Sequence, residues 1–416
     1  MGKDSVVVVG GGVIGIACAH YLSRAGMEVT VIEKDSLAGA CSHGNCGYVC
    51  PSHVLPLTEP EAISMALKSL LKPNAPFRVK PRFSPALWRW MLEFARRCRH
   101  ESMMVAGAAL KSILDASMGE YRRLVSQDGV EAEWQDEGLL YVLKTDRGME
   151  GFARTNALLR DGFNVEAQRI EGADLPGFEP SLRSDVAGAF FYEGDAHLRP
   201  DVLNRNWVSH LKTAGVRFVE QCELQRVQRR KDGVAGLQTS RGEIRADRFV
   251  FAMGAWSQHL GRSLGCPIPV EPGKGYSITM RRPEICPQHP ILFPEHKVGV
   301  TPFEEGYRLG SMMEFVGFDD RIPAKRIQQL RDSAKPYLLD PYAEDPTAEE
   351  WFGWRPMTWD SLPIIGPVPR LKNAFLATGH NMLGLSLAPS TGRLLTELMV
   401  GEEPHIDPQP FSPSRF

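Results

Sequence analysis

The chain has almost no net charge: 48 Lys and Arg stand against 50 Asp and Glu in 416 residues, a formal charge of −2. That leaves no basic field for a phosphate backbone, so nucleic acid is excluded as an expected partner. Long apolar runs are missing too. Val6–Val9 is cut short by Gly10-Gly11-Gly12, and nowhere do about 18 apolar residues follow one another, as a membrane-spanning helix requires. Cysteine is scarce, with eight at positions 18, 41, 46, 50, 98, 222, 266 and 286. Their uneven spacing suits reduced thiols and not a disulfide framework. Cys41, Cys46 and Cys50 form C-x4-C-x3-C, which fits no standard cluster spacing, and no metal is expected. The first residues hold one lysine, no apolar stretch with a small-residue cleavage site, and Val at position 6 where myristoylation needs Ser or Thr. A cytoplasmic location is the expectation. Neither G-x-S-x-G, H-E-x-x-H nor G-x-x-x-x-G-K-[ST] occurs, which removes the common hydrolase, zinc-protease and P-loop readings.

What is present is an ordinary globular mixture, 43% hydrophobic and 24% charged, long enough for two to three domains. Ser5–Val9 is β-branched and apolar throughout, the signature of a parallel strand covered on both faces. Gly10-Gly11-Gly12-Val13-Ile14-Gly15 then supplies G-x-G-x-x-G, Val13 to Ala25 has helical periodicity ended by Gly26, and Glu28–Ile32 is a second strand closed by Glu33. This is a βαβ dinucleotide fingerprint. Gly10 makes the turn, Gly12 admits a pyrophosphate to the N–H groups of Val13 and Ile14 at the helix start, and Gly15 packs helix on strand. Glu33 would bind a ribose diol and repel a 2′-phosphate, which disfavours NADP.

After Glu33 the chain continues into Gly39-Ala40-Cys41-Ser42-His43-Gly44-Asn45-Cys46-Gly47, a loop able to run along a cofactor and to offer backbone N–H groups and the Ser42 and Asn45 side chains. Far downstream, Arg248-Phe249-Val250-Phe251-Ala252-Met253-Gly254-Ala255-Trp256-Ser257 reads as a buried strand ending in a small-residue turn. Three more blocks follow in order: Lys274-Gly275-Tyr276-Ser277, then Arg308 to Glu314 with Gly317-Phe318-Asp319, and last Trp351 to Gly392. With the N-terminal fingerprint, these blocks resemble the D-amino-acid oxidase superfamily of FAD enzymes, and within it the bacterial D-amino-acid dehydrogenases. The likeness covers most of the chain, least distinctively between about 55 and 190.

The resemblance implies an α/β fold in which an FAD-binding Rossmann-type domain of glutathione-reductase type (1–54, 193–265 and 352–416) is interleaved with an α+β substrate domain containing an antiparallel sheet (55–192 and 266–351). It implies FAD, held non-covalently since His43 is displaced by about one position from where relatives attach flavin. The cofactor residues it implies are Gly10, Gly12, Val13, Ile14, Gly15, Glu33, Lys34, Ser42, Asn45, Gly47, Leu224, Gly254, Trp256, Gly379, Met382, Gly384, Leu385 and Ser386. A helix beginning at the turn Thr378–Ser386 would aim free N–H groups and its positive end at the flavin pyrimidine edge. Arg355 matches the Gly-x-Arg-Pro position at which relatives fork a guanidinium onto the substrate carboxylate; from the residues alone, a salt bridge to Asp360 competes with that role. Tyr276 is a candidate pocket residue, against ordinary strand packing, and His380 a candidate base whose family role is to shape the turn. The turn Gly379-His380-Asn381-Met382 departs from the common Gly-His-Gly-Thr, which leaves the substrate open.

The implied reaction is oxidation of a D-amino or cyclic D-imino acid, such as D-proline or 4-hydroxy-D-proline, by hydride transfer from Cα to flavin N5. The electrons would pass to a quinone or other respiratory acceptor. The alternatives are a 2-hydroxy-acid dehydrogenase, an oxidase using oxygen, and an electron-transfer subunit of a larger complex. Residues 85–100 set Leu87, Trp88, Met91, Leu92, Phe94 and Ala95 beside four arginines. Such a helix either packs on its own domain or touches the inner face of a membrane. The last ten residues, with three prolines, are expected to fray.

Overall fold

The structure is a computed structural model and describes residues 4–64, 77–80 and 82–416. Its first sheet has six strands in the order Ile364–Pro367, Ala374–Thr378, Arg248–Phe251, Ser5–Val9, Glu28–Ile32 and Arg217–Val219. All neighbours are parallel except the first pair. Ser5–Val9 lies at the centre, and its uninterrupted valines divide between two cores. Val6 and Val8 face the helices Val13–Arg24 and Gly384–Val400, while Val7 and Val9 face Val227, Val234 and Leu237 of a three-stranded antiparallel sheet. A strand walled on both sides has no polar face to alternate, which is why its sequence shows none.

The second sheet has nine strands, ordered Glu349–Thr358, Val270–Met280, Gly306–Phe315, Val298–Phe303, Ile291–Phe293, Leu139–Leu143, Gly188–Tyr192 and Gln168–Glu171, with Phe77–Val79 added beside Gly306–Phe315. Helix Ala324–Ala334 buries Ile327 and Leu330 against one face. The strand Glu349–Thr358 pairs along its whole length with Val270–Met280, so the boundary expected at 352 falls inside a strand of this sheet. The chain leaves for the six-stranded sheet only after Thr358.

Three local expectations change. The turn after Phe251 is a 3₁₀ helix, Gly254–Leu260. The basic amphipathic segment is a helix only over Pro85–Arg97, with a new helix starting at His100. The C-terminal residues do not fray: Phe411 is fully buried, Phe416 meets the Trp359 ring at 5.4 Å, and Arg415 donates to Asp360 at 2.7 and 3.3 Å. Apolar anchoring and an ion pair offset the prolines' lack of N–H donors. Arg415→Ala leaves the half-buried Asp360 without its cation and is expected to cost roughly 1–3 kcal/mol. A thermal unfolding midpoint equal to that of the parent would show that the tail adds nothing.

Candidate active site

A cavity of about 1680 Å³ runs from Glu33, along the carboxyl ends of the parallel strands, to Arg355 on the second sheet. Ligands of open α/β sheets bind at those strand ends. Two uncapped helix starts open onto it. Neither Gly12, which precedes Val13–Arg24, nor Leu383, which precedes Gly384–Val400, contributes a side-chain cap, so first-turn N–H groups are free for an anion or a carbonyl. A Cβ placed on Gly12 would meet nothing within 4 Å, so its absence leaves the approach to these amides open. The Glu33 carboxylate lines the cavity while accepting the N–H of Gly11 at 2.7 Å and of Asp35 at 3.1 Å. Beyond it the Lys34 ammonium stands 4.0 Å over the Trp256 indole, and Leu224 and Gly254 complete that end. An anion cradle, a diol acceptor and an aromatic wall in that sequence fit FAD.

Three predicted glycines act behind the wall. A Cβ on Gly15 would lie 1.8 Å from the Gly10 carbonyl oxygen, on Gly47 2.0 Å from that of Leu198, and on Gly379 2.6 Å from Thr358 Cγ2. They permit close approach and do not line the cavity. Ser42 faces the cavity, and its Oγ accepts from Asn204 at 3.2 Å. The Asn45 side chain closes its own turn by accepting the Gly47 N–H at 2.8 Å. At the closing helix, Ser386 donates to the Tyr48 carbonyl at 2.8 Å, and the Leu385 carbonyl accepts from Tyr121 at 2.7 Å; both clamp the start that Met382 and Gly384 edge.

Arg355 is drawn into the wall by glycine. Gly275 and Gly353 are register partners, and a Cβ on Gly275 would stand 2.3–2.4 Å from the guanidinium. The guanidinium donates to the Met312 carbonyl and, among the described residues, meets no carboxylate. Asp360, its competitor in the sequence, is taken by Arg415. Burial lowers the Arg355 pKa, and nearby Cys41 and Cys46 oppose that. Both thiols line the cavity; burial pushes Cys41 up to about 11 and raises Cys46, so neither is a thiolate that could neutralise the guanidinium.

Tyr276 lines the same cavity, where a pocket residue was expected, although it leaves its strand on the face opposite to Arg355. Residues 274, 276, 352 and 354 alternate with 275, 353 and 355, and the Tyr276 hydroxyl donates to the buried Glu314 at 2.6 Å. Glu314 also holds Arg326. Burial, then Glu314, raise the phenol's pKa. His380 lines the cavity with Nε2 3.0 Å from Thr391 Oγ1, and burial pulls its pKa down to about 3. It is a neutral brace of the turn, too weak a base to hold a proton at neutral pH. His43 bonds Glu349 at 2.8 Å and lies outside the cavity wall.

Two contributors escaped the sequence reading. Arg308, almost fully buried, donates to the carbonyls of His43 at 3.0 Å and Asn45 at 2.6 Å, and Thr301 donates to that of Cys46 at 2.6 Å. They fasten the loop onto the second sheet, where the Cys46 sulfur would lie 2.4 Å from a Cβ on Gly310 and 3.3 Å from one on its partner Gly299. The available signal was glycine on adjoining strands at positions where side chains would otherwise block the loop.

Because the native His380 pKa lies below its ordinary 6.5, only the unfolded chain takes this proton as pH falls from about 6.5 toward 3. Its contribution is complete above 6.5 and declines below. The unfolding midpoint of the parent should therefore drop more between pH 7.5 and 5 than that of His380→Gln. Equal drops would mean that the imidazole protonates in place.

The chain matches the family of FAD dependent oxidoreductases over residues 5–398. It is 32% identical to a D-amino acid dehydrogenase of Rhodopseudomonas palustris, covering 99% of this chain and 97% of that one, and 31% identical to one of Azorhizobium caulinodans, covering 99% of each. Among solved structures it is similar to glycine oxidase from Geobacillus kaustophilus, with a TM-score of 0.78 at 24% identity over the full length of both chains. L-proline dehydrogenase from P. horikoshii has a TM-score of 0.75 at 19% identity, covering 100% of this chain and 98% of that one. The match over residues 5–398 and the full-length relatives, with the glycine-rich helix start that Glu33 reaches, show that the chain belongs to the FAD dependent oxidoreductase family and is an FAD-binding flavoenzyme.

Proposed function

We propose that the protein oxidises D-amino or cyclic D-imino acids, D-proline or 4-hydroxy-D-proline among them, and passes the electrons to a respiratory acceptor of the quinone type. The observation that carries this reading is Arg355: a guanidinium on the cavity wall with no carboxylate beside it among the described residues. The D configuration is supported by the names of the full-length relatives.

A substrate carboxylate forks onto Arg355 through two parallel bonds and supplies the missing negative charge. Bound FAD, held non-covalently, supplies a two-electron acceptor for the hydride that leaves Cα. The free amides at the start of Gly384–Val400 favour negative charge brought against them. Burial keeps His380 neutral and a weak base, so in this reading the substrate amine enters unprotonated. The imine product then adds water to release the oxo acid and ammonia, or to open the ring of a cyclic imine.

Helix Pro85–Arg97 sets Leu87 and Trp90 inward and leaves Trp88 and Leu92, with Phe83 before them, exposed. No helix among the described residues is long and apolar enough to cross a membrane. The exposed trio supports a peripheral contact with the inner face of the membrane, where a quinone would be met; Arg96 and Arg97 both pair with Glu93, which weakens any purely electrostatic attachment. Cosedimentation with anionic lipid vesicles, reduced by Trp88→Asp with Leu92→Asp, is the expected outcome. Parent protein that stays in the supernatant would remove the contact.

The reaction is tested by mixing the yellow protein anaerobically with D- and L-amino acids, proline derivatives and 2-hydroxy acids, and following the flavin band near ~450 nm. Bleaching by D-amino or D-imino acids is expected. Arg355→Ala should retain flavin and raise KM by about 100-fold or more, since a charge-assisted fork is worth several kcal/mol, with Arg355→Lys between. Bleaching by hydroxy acids alone, or an unchanged KM, would overturn the reading.

A further inference from the structure

We propose that Trp351 is a specificity-determining residue, the wall against which a substrate held by Arg355 places its side chain. The inference rests on the role given to Arg355 above. Trp351, Gly353 and Arg355 alternate on one face of Glu349–Thr358, and Gly353 is paired directly with Gly275 on the neighbouring strand. Directly paired Cβ positions lie about 4.5–5.5 Å apart. Over Gly275 lies the guanidinium. Over Gly353 lies the far edge of the indole, whose Cη2 would be 2.1 Å from a Cβ there. The near side of the same ring, Cγ, Cδ2 and Cε3, fills the space of a Cβ on Gly44, at 2.3–2.7 Å.

The indole is thus clasped between the loop and the strand and lies beside the guanidinium over one glycine pair. A carboxylate held by Arg355 brings its Cα substituent against that ring. The indole is large and rigid and has lost its room to swing, so it limits the length of side chain admitted. Cys41, Cys46, Met312 and Gly353 carry no charge, since burial raises both thiols further above their ordinary value. A substrate with an uncharged side chain fits this wall, and one bearing a second carboxylate or an ammonium does not.

The test uses the FAD-loaded enzyme and its Trp351→Ala, Trp351→Phe and Gly353→Ala variants. Flavin content is measured first. Binding of two unreactive carboxylates, acetate and benzoate, is then read from the flavin absorption spectrum, and kcat/KM is taken for D-alanine, D-valine, D-leucine, D-phenylalanine and D-aspartate. In Trp351→Ala the preference for benzoate over acetate, and for D-phenylalanine over D-alanine, should rise about tenfold or more, with Trp351→Phe between. Gly353→Ala puts a methyl into the far edge of the indole, displaces the ring, and should change these preference ratios. D-aspartate should stay poor in all. Should Trp351→Ala lose flavin, Trp351→Phe and Gly353→Ala decide. Unchanged preference ratios, or a uniform loss that follows flavin content, would overturn the proposal and leave Trp351 a packing residue. A parent enzyme that no D-amino acid bleaches would instead overturn the reaction, while the two carboxylates still test the wall.

Discussion

Withdrawing a guanidinium from bulk water with no carboxylate beside it costs several kcal/mol, and the Arg355 site, which among the described residues has none, is arranged to sustain that cost. The neighbouring strand offers glycine at 275, so the side chain lies along the sheet without collision. A backbone carbonyl, that of Met312, accepts one N–H without cancelling the charge. The flanking cysteines stay neutral because burial disfavours their thiolates. The nearby carboxylate in sequence, Asp360, is occupied by an arginine from the C-terminus. Each neighbour satisfies geometry and leaves the charge for a ligand.

The same sheet supports the loop that completes the site. Arg308 and Thr301 bind backbone carbonyls of residues 43, 45 and 46 and not their side chains, so the path of the loop is set by the sheet. Small residues at 299, 310, 275 and 353, on four adjoining strands, lower the floor on which the loop, Arg355 and Trp351 rest. Cys46 and the indole fill what the glycines vacate. The six-stranded sheet therefore presents helix N-termini toward anionic or electron-rich groups and the nine-stranded sheet presents the Arg355 guanidinium, with the loop lodged between.

The first 33 residues were legible because their meaning is local: turn, helix start and strand end follow from glycine spacing and apolar period within one βαβ unit, and Glu33 reaches the turn as its position implies. Arg355 and the turn at 379–386 were legible only through resemblance, since an arginine in isolation has several partners within reach. Tyr276 shows the limit. Its side chain lines the cavity, but its hydroxyl donates to Glu314, which also holds Arg326, and the strand face it takes, opposite to that of Arg355, follows from its register with Glu349–Thr358, 76 residues on at Phe352. The C-terminal prolines promised disorder, and the burial of Phe411 reversed it.

By itself the sequence determined the dinucleotide fold and the reach of Glu33 to the glycine turn, because short-range spacing carries those. Tertiary structure decided which carboxylate Arg355 lacks, which face Tyr276 takes, and that Arg308 and Trp351 belong to the site. These depend on strands and tails brought together across tens to hundreds of residues, and the energy of a charge or a ring is set by what folding places beside it.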